Sequence, residues 1–306
     1  MKYFKSLKSL ESNLKSITNV KFAPDSYDII LSSGDGKIQL CDIITRKEFK
    51  ILNGYSDWIN KVQFSSDGKM IVSCSYDQTI RLWDVKLRKE IKKFEGHFLD
   101  VLGSQFSPDN KMIVSCSKDK TIRIWDIITG KEIKKLEGHK DIVTDAKFLP
   151  DGKRIVSSSN DNIICIWDIK SGKKISELRG HTNSVNGIEL SPNGFIIASY
   201  STDKTIRIWD IESVKELKKL EGHLNSINGI KFFLDSKIIV SYSKDKTIRL
   251  WNIVTGKEIE KLEGHYREII GLDISFDSNL IISISWDESI QLWGKIDYYL
   301  HTKYFT

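Results

Sequence analysis

The chain has 306 residues, of which 40% are hydrophobic and 29% charged, a balance typical of a folded protein rather than a disordered one. Its apolar runs are far shorter than the roughly 20 residues of a membrane-spanning helix, and lysines stand at the N-terminus where a signal peptide would be apolar. The net charge of +6 is spread along the whole length, with lysines alternating with glutamates, so nucleic acid is not the expected partner.

A 42-residue repeat organises the chain. Tryptophans recur at this interval, and so do five of the six histidines, each directly after a glycine: Trp83, Trp125, Trp167, Trp209, Trp251, Trp293 and His97, His139, His181, His223, His265. Cys41 occupies the position one period before Trp83, which brings the number of units to seven. Such a period predicts an array in which no unit buries its apolar face alone.

Each unit is predicted to contain four antiparallel strands and no helix. In the unit that starts at His97, the segments 101–106, 112–117, 121–125 and 132–136 are rich in β-branched residues, and Pro, Asp, Asn and Gly turns separate them at about ten-residue spacing. The four cysteines (Cys41, Cys74, Cys116, Cys165) have no C-x-x-C spacing, and Cys74 and Cys116 lie within strand segments as small buried residues.

Units with Gly-His near the start and Trp-Asp at the end of the third strand resemble the WD-repeat (WD40) family of β-propellers, including the G-protein beta-like repeat proteins. Trp-Asp occurs at 83–84, 125–126, 167–168 and 209–210, whereas Trp251 precedes Asn252 and Trp293 precedes Gly294. The resemblance runs from about Lys5 to Trp293. It implies an all-β, seven-bladed propeller of four-stranded blades, which we expect to form one domain over residues 1–306.

The outermost strand of each unit carries apolar residues three apart, as in Ile133 and Leu136, and Leu7 and Leu10 keep this frame at the N-terminus. Because the last unit ends after its third strand, we expect the segment 5–11 to supply the missing fourth strand of blade 7 and close the ring. Residues 294–306 are predicted to form a C-terminal tail, whose spacing fits that frame less well.

Each complete unit also repeats a histidine, a serine 18 residues later, an aspartate 22 later and a tryptophan 28 later. His, Ser and Asp together could indicate a hydrolase, but five equivalent copies indicate architecture. The resemblance implies that they form hydrogen-bonded structural tetrads: His97, Ser115, Asp119, Trp125; His139, Ser157, Asp161, Trp167; His181, Ser199, Asp203, Trp209; His223, Ser241, Asp245, Trp251; His265, Ser283, Asp287, Trp293.

The first two units depart from the tetrad pattern. Blade 2 has Tyr55 in place of the histidine, and blade 1 has Asn13, Leu31 and Cys41 in place of histidine, serine and tryptophan. A looser blade 1 is therefore expected. One histidine per blade cannot converge on a single ion, so no metal site is expected.

Two tryptophans lie outside the 42-residue period, Trp58 in blade 2 and Trp286 in blade 7. The resemblance implies that their positions, and one more in each unit, lie on the rim of the top face, where proteins of this family commonly bind partners. Small residues of blade 1 (Ser16, Thr18, Gly34) would leave a recess between the two indoles. The predicted partner-binding residues are Trp58, Asn60, Tyr76, Asp100, Leu102, Lys118, Ile142, Glu268, Ile270 and Trp286. Alternatively, the two tryptophans only pack over neighbouring loops.

The expected function is a non-catalytic scaffold or adaptor that binds a peptide or protein on the top face, as a monomer within a larger complex. The alternative is an adaptor for an anionic surface, a nucleic acid or phospholipid, bound through Lys118, Lys244 and the lysine-rich outer rim. The sequence contains no unrepeated nucleophile, carboxylate pair or Gly-rich phosphate loop, so neither catalysis nor a cofactor is expected. Cysteine usage indicates a cytoplasmic protein, with the nucleus as the alternative.

Overall fold

The computed structural model describes residues 3–10, 14, 16–43 and 48–296. In these residues the chain forms 28 strands arranged in seven four-stranded antiparallel sheets. No helix in the described part is long and apolar enough to cross a membrane. The seven sheets are the blades of a β-propeller, as the repeat predicted.

The blades follow one another along the chain, and within blades 1 to 6 the strand order in the sheet is the order in the sequence. Blades 1 to 3 contain β2 (Ile17–Phe22), β3 (Asp28–Ser33), β4 (Lys37–Asp42), β5 (Glu48–Asn53); β6 (Ile59–Phe64), β7 (Met70–Ser75), β8 (Ile80–Asp84), β9 (Lys89–Phe94); and β10 (Val101–Phe106), β11 (Met112–Ser117), β12 (Ile122–Asp126), β13 (Glu132–Leu136).

Blades 4 to 7 repeat this arrangement, except that the outermost strand of blade 7 comes from the N-terminus. They contain β14 (Val143–Phe148), β15 (Arg154–Ser159), β16 (Ile163–Asp168), β17 (Lys174–Arg179); β18 (Val185–Leu190), β19 (Ile196–Ser201), β20 (Ile206–Asp210), β21 (Glu216–Leu220); β22 (Ile227–Phe232), β23 (Ile238–Ser243), β24 (Thr247–Asn252), β25 (Lys257–Glu263); and β26 (Ile269–Ile274), β27 (Leu280–Ser285), β28 (Ile290–Lys295), β1 (Phe4–Leu10).

The turns between strands are fixed by short polar side chains. In blade 3 the Ser107 hydroxyl accepts a hydrogen bond from the Met112 backbone N–H at 2.9 Å and donates to Asp109 at 2.6 Å. Asn110 in the same turn has φ of 55°, a left-handed conformation that Asn tolerates better than most residues. This turn chemistry sets where each strand ends.

The core of the described residues is divided into seven apolar clusters, each shared by two neighbouring blades. The cluster between blades 3 and 4, for example, joins Val114 and Ile124 to Phe148 and Trp167. The innermost strands contact one another in sequence around the ring, and β26 contacts β2. A cluster that contains Leu292 and Val20 fills the junction of blades 7 and 1. The ring is therefore closed.

The N-terminal strand completes blade 7, which confirms the predicted closure. β1 pairs antiparallel with β28, and Leu10 lies opposite Ile290 just as Leu136 lies opposite Ile122 in blade 3. Both pairs of strands also have a register shift beside the repeated tryptophan. The strand β28 extends through Lys295, so Gly294 and Lys295 belong to it and not to the predicted C-terminal tail; residues 297–306 lie outside the described residues.

A charge reversal marks the contact between blade 6 and the N-terminal strand. In blades 2 and 3, lysines from the outer strand donate to backbone carbonyls in the next blade's outer turn: Lys92 to Ile127 at 3.1 Å and Lys134 to Lys170 at 3.3 Å. The equivalent residue of blade 6 is Glu260, whose buried carboxylate accepts from the backbone N–H groups of Tyr3 at 2.9 Å and Phe4 at 3.1 Å. Glu replaces Lys because the incoming strand presents donors instead of acceptors.

The residue after each repeated tryptophan has a related local role. Asp126 accepts from the backbone N–H of Thr129 at 2.6 Å, and Asn252 accepts in the same way from Thr255 at 2.9 Å. These side chains cap the turn between the third and fourth strands. In blade 7 the fourth strand is β1 from the other end of the chain, and a Cβ on Gly294 would lie 2.7 Å from the Leu7 side chain. The departures from Trp-Asp at Asn252 and Gly294 thus have separate physical reasons.

Candidate partner-binding face

In blade 3 the four repeated polar side chains form one directed hydrogen-bond chain. The Trp125 indole N–H donates to the Ser115 hydroxyl at 2.8 Å, and Ser115 is 2.8 Å from His97 Nε2. His97 Nδ1 is 2.8 Å from Asp119. Because a carboxylate only accepts, Nδ1 carries the proton, Nε2 accepts from Ser115, and the bonds run from tryptophan through serine and histidine to aspartate.

Asp119 ends this chain and also organises the top of the blade. It accepts from the backbone N–H groups of Phe98 at 3.2 Å and Thr121 at 3.0 Å, which ties the loop before the inner strand to the turn after the second strand. Burial alone would raise the pKa of Asp119, but the hydrogen bonds from His97 and Thr121 outweigh it and lower that pKa well below its usual range. Burial lowers the pKa of His97, which keeps the ring neutral.

The same three bonds occur in blades 4 to 7, at 2.7 to 3.1 Å: Trp167–Ser157–His139–Asp161, Trp209–Ser199–His181–Asp203, Trp251–Ser241–His223–Asp245 and Trp293–Ser283–His265–Asp287. The five serines are completely buried. A substrate cannot reach them there, so the tetrads act as braces between strands rather than as hydrolytic centres.

Blades 2 and 1 depart from the tetrads in the way their sequences indicated. In blade 2 the Tyr55 hydroxyl is 2.7 Å from Ser73, which also accepts from the Trp83 indole N–H at 2.7 Å. In blade 1 Leu31 is buried and Cys41 half-buried, so apolar packing replaces the polar chain. Asn13 lies outside the described residues.

One backbone hydrogen bond recurs at the same end of every blade and defines the top face. In blade 3 the Lys118 N–H donates to the Asp100 carbonyl at 3.0 Å, and in blade 7 the Trp286 N–H donates to the Glu268 carbonyl at 3.1 Å. The equivalent pairs in the other blades are Gly34–Ser16, Tyr76–Trp58, Asn160–Ile142, Thr202–Ser184 and Lys244–Ser226. In each unit we call the carbonyl residue of this pair the first rim position (Trp58 in blade 2) and the N–H residue the third (Tyr76), and the second is the residue two after the first (Asn60). The first and third positions are therefore neighbours across two chain segments.

Three aromatic side chains form a continuous row on this face, which we call the aromatic ridge: Trp286, Trp58 and Tyr76. The ring centroids of Trp286 and Trp58 are 5.8 Å apart, and those of Trp58 and Tyr76 are 6.4 Å apart with nearly parallel planes. The Lys118 ammonium lies 4.8 Å from the Tyr76 centroid. Trp58 of blade 2 and Trp286 of blade 7 thus meet above blade 1, and Lys118 of blade 3 extends the row on the other side of Tyr76.

The predicted recess between the two indoles is filled. A Cβ on Gly34 would lie 2.6 Å from the Trp58 ring, so the indole rests directly on the blade 1 turn and reaches across to Trp286. Sequence comparison of the units located both tryptophans but could not show which way Trp58 turns. Trp286, with 39% of its surface exposed, is the most accessible member of the ridge.

The second rim position contributes mainly to contacts within the ring. The Asn60 amide donates to the Val101 carbonyl of the next blade at 2.7 Å, and Asn228 makes the equivalent bond to Ile269 at 2.8 Å. Leu102 and Ile270 are partly buried against the apolar clusters. Ile142 at the first position of blade 4 is half-buried.

The two lysines at the predicted rim positions, Lys118 and Lys244, are each paired with a carboxylate. Lys118 Nζ is 2.7 Å from Asp100, and Lys244 Nζ is 3.9 Å from Glu268. Lysines of the outer rim also pair with glutamates two residues later, as Lys135 does with Glu137 at 2.5 Å. These carboxylates offset the lysine charge on which binding to an anionic surface would depend.

Several exposed apolar residues of this face were missed by the sequence comparison. Phe98 and Leu99 in blade 3, Leu224 in blade 6 and Tyr266 in blade 7 belong to the loops that begin each unit, and Phe98, Leu224 and Tyr266 are 72%, 75% and 84% exposed. Three of them directly follow the repeated histidine. Comparison of that position across the units, where blades 4 and 5 have Lys140 and Thr182, would have revealed them.

The closed ring of seven blades, the five tetrads and the capped Trp-Asp turns define a WD-repeat β-propeller. Six consecutive segments match the WD40 family, described as WD domain, G-beta repeat, at residues 46–84, 88–126, 130–168, 172–210, 214–252 and 256–294. They cover well over half of the chain, and the protein belongs to this family. A comparison with curated proteins gave no match. Propellers of this family are commonly protein-interaction scaffolds and are generally not catalytic.

The matched segments are staggered relative to the blades. The segment 88–126, for example, starts at the outer strand β9 of blade 2 and ends with the third strand β12 of blade 3. Each repeat therefore contributes to two sheets. Blade 1, which lacks the tetrad, has no matched segment that covers its first three strands.

Proposed function

We propose that this protein is a scaffold that binds a protein or peptide partner on its top face, with Trp286 as the central contact. The supporting observation is the aromatic ridge. An exposed indole that contacts a second indole provides a rigid apolar surface, and aromatic residues of this kind dominate the energetics of protein interfaces.

The surroundings of the ridge favour this function over binding to an anionic surface. Asp100 and Glu268 sit at the two ends of the ridge beside Lys118 and Lys244, so both signs of charge surround the aromatic centre. A polar rim around an apolar centre is the usual arrangement of a protein interface. Exposed Phe98 and Tyr266 extend the apolar surface on blades 3 and 7.

The proposal can be tested by placing a photo-crosslinking amino acid at position 286 and, as a matched control, at position 195. Phe195 is an exposed aromatic residue of the turn between β18 and β19, at the opposite end of blade 5. We expect discrete protein adducts from position 286 and none of the same mass from position 195. Identical adducts from both positions would contradict the proposal.

Affinity for the crosslinked partner then provides the quantitative test. Trp286→Ala should weaken binding by about 2 kcal/mol or more, as for interface hot spots, and Phe195→Ala should leave it unchanged. Trp58→Ala is a less suitable variant because its indole also packs on Gly34. An unchanged dissociation constant for Trp286→Ala would refute the role of the ridge.

A further inference from the structure

A ring of polar side chains lines the central channel at the fifth residue of each innermost strand. We call these seven residues the channel ring: Lys21, Gln63, Gln105, Lys147, Glu189, Lys231 and Asp273. They follow one another at 42-residue intervals, one from each blade. The sequence comparison did not single them out, since they differ from unit to unit.

Five consecutive members of the channel ring alternate in charge. Lys147 Nζ is 2.6 Å from Glu189, and Lys231 Nζ lies between Glu189 at 3.3 Å and Asp273 at 3.7 Å. Lys21 Nζ is 3.3 Å from Asp273 and ends the alternation. The next two positions hold the neutral residues Gln63 and Gln105.

The described part of the channel therefore carries one positive charge that no carboxylate balances. The ring has three ammonium groups and two carboxylates, and the remaining charged pair, Lys61 and Asp145 at 2.9 Å, is neutral as a whole. Burial lowers the pKa of Lys21 to about 8, although Asp273 opposes this effect. An uncompensated ammonium in a partly dehydrated channel is costly, and a bound anion would remove that cost.

A cavity of about 370 Å³ lies beside the turns between first and second strands of blades 1 to 3, and five members of the channel ring line it: Lys21, Gln63, Gln105, Lys231 and Asp273. Its size is within the range of small-molecule sites. Its walls are apolar at Phe64 and Phe106 and at Pro24 and Pro108. Towards the top face the channel is occupied by Tyr200 and Tyr242, which fill the space over Gly187 and Gly229.

Hydrogen-bond donors face this cavity without partners. The Gln63 amide forms no hydrogen bond within the described residues, and Gln105 uses only its oxygen, which accepts from the Phe148 N–H at 3.1 Å. Both amide NH₂ groups are free to donate to a ligand, and the Lys21 ammonium, which donates one hydrogen bond to Asp273 at 3.3 Å, has further N–H groups for this purpose. Donors and excess positive charge on one side and apolar walls on the other match a carboxylate with a compact apolar body.

We propose that this channel cavity binds a small monocarboxylic acid in its anionic form, with Lys21, Gln63 and Gln105 as donors to the carboxylate. The site is separate from the top face, so it is independent of the scaffold function proposed above.

Benzoate is a suitable probe, and benzamide is its neutral counterpart with the same ring. Calorimetric titration of the full chain should show saturable one-site binding of benzoate at millimolar concentrations and much weaker binding of benzamide. Equal affinity for the two compounds, no saturable benzoate binding, or tighter binding of inorganic phosphate than of benzoate would each overturn the proposal.

Two variants locate the site. Lys21→Met removes the cation, and Gln63→Glu continues the alternation of charge with a near-isosteric carboxylate. Each should weaken benzoate binding by about tenfold or more, the usual effect of losing one charge-assisted hydrogen bond. Lys244→Met removes a top-face lysine and is the control, which should bind as the unaltered protein does.

The Gln63→Glu variant also keeps the test independent of folding defects. A carboxylate beside Lys21 should raise the melting temperature while it blocks benzoate, whereas a simple packing defect would lower the melting temperature. Undiminished benzoate binding by a folded Gln63→Glu variant would refute the assignment.

Discussion

Blades 3 and 7 have the same four-stranded sheet, the same tetrad and the same register shift beside the tryptophan, but they are assembled differently. Blade 3 is continuous in sequence from Val101 to Leu136, whereas blade 7 takes its outer strand, Phe4–Leu10, from the other end of the chain. The tetrad bonds have nearly the same lengths in both blades. The internal bracing of a blade therefore does not depend on chain continuity.

The two blades and the strands that contact their outer edges differ where chain continuity changes the backbone groups that a side chain meets. Lys92 contacts carbonyl oxygens in the turn of blade 3, and Glu260 contacts N–H groups at the start of β1. Asp126 caps a turn, and Gly294 makes room for Leu7 of the strand that comes from the other end of the chain. Some departures from the repeated sequence thus arise because a different hydrogen-bond donor or acceptor, or a smaller side chain, is needed at that place, and not from random divergence.

The largest expected effect is the loss of the N-terminal strand. Deleting residues 1–10 would leave β28 as an open edge and remove the buried Phe4 side chain, whose loss alone costs about 3–5 kcal/mol in a core. We expect a large fall in the midpoint of thermal unfolding. Deleting residues 298–306 is the control and should lower the midpoint far less; the reverse order would contradict the seam between β1 and β28.

A charge reversal at the seam should have an intermediate effect. Glu260→Lys places an ammonium against the Tyr3 and Phe4 N–H groups and removes two charge-assisted bonds, which should cost about 2–3 kcal/mol of unfolding free energy. Glu260→Gln keeps an acceptor oxygen and should cost about half as much. Urea unfolding measures both. If Glu260→Lys and Glu260→Gln both lowered the free energy of unfolding only slightly and by the same amount, the carboxylate would not be holding the strand.

The smallest effect distinguishes tetrad-containing blades from blade 1. The folded-state pKa values of His97 and His265 lie below 6.5, so on acidification the unfolded chain takes up protons first and stability falls as the pH drops below about 6.5. Asp161 and Asp287, with pKa values of about 2 instead of 3.8, extend this loss from about pH 4 towards pH 2.

Hydrogen exchange followed by mass spectrometry can resolve this difference blade by blade. After correction for intrinsic exchange rates, protection in blades 3 and 4 should decrease with acidification more steeply than in blade 1, where Asn13 replaces the titratable histidine. At neutral pH blade 1 should exchange faster than blades 3 to 6. Parallel loss of protection in all blades would show that the tetrads do not set the acid response.

Much of the fold could be predicted from the sequence because a strict 42-residue period leaves little freedom in strand number or order. The frame of Leu7 and Leu10 was enough to predict the closing strand, since a one-residue slip would turn its apolar residues outward. The first strand starts at Phe4 rather than residue 5, a difference that depends on the Glu260 contact. That contact joins residues 256 positions apart, and no local pattern reveals it.

The site was less predictable. Comparison among units located Trp58 and Trp286, but side-chain direction depends on Gly34 in another blade. The channel ring was not predicted because its residues differ from unit to unit. In the sequence Lys147, Glu189 and Lys231 look like ordinary variable polar residues, and only the fold brings the two ammonium groups within 2.6 and 3.3 Å of the Glu189 carboxylate. Charge alternation at a fixed interval of 42 residues would have been the signal to look for.

The stagger between repeats and blades has a consequence for how the ring could be opened. The turns between third and fourth strands occupy equivalent places in blades 2 to 6, and in blade 7 the two ends of the described chain meet at the corresponding place. A circularly permuted chain that begins at β13 and ends at β12 would turn blade 3 into the closing blade. It would need the local changes found at Gly294 and Glu260, transferred to Asp126 and Lys92.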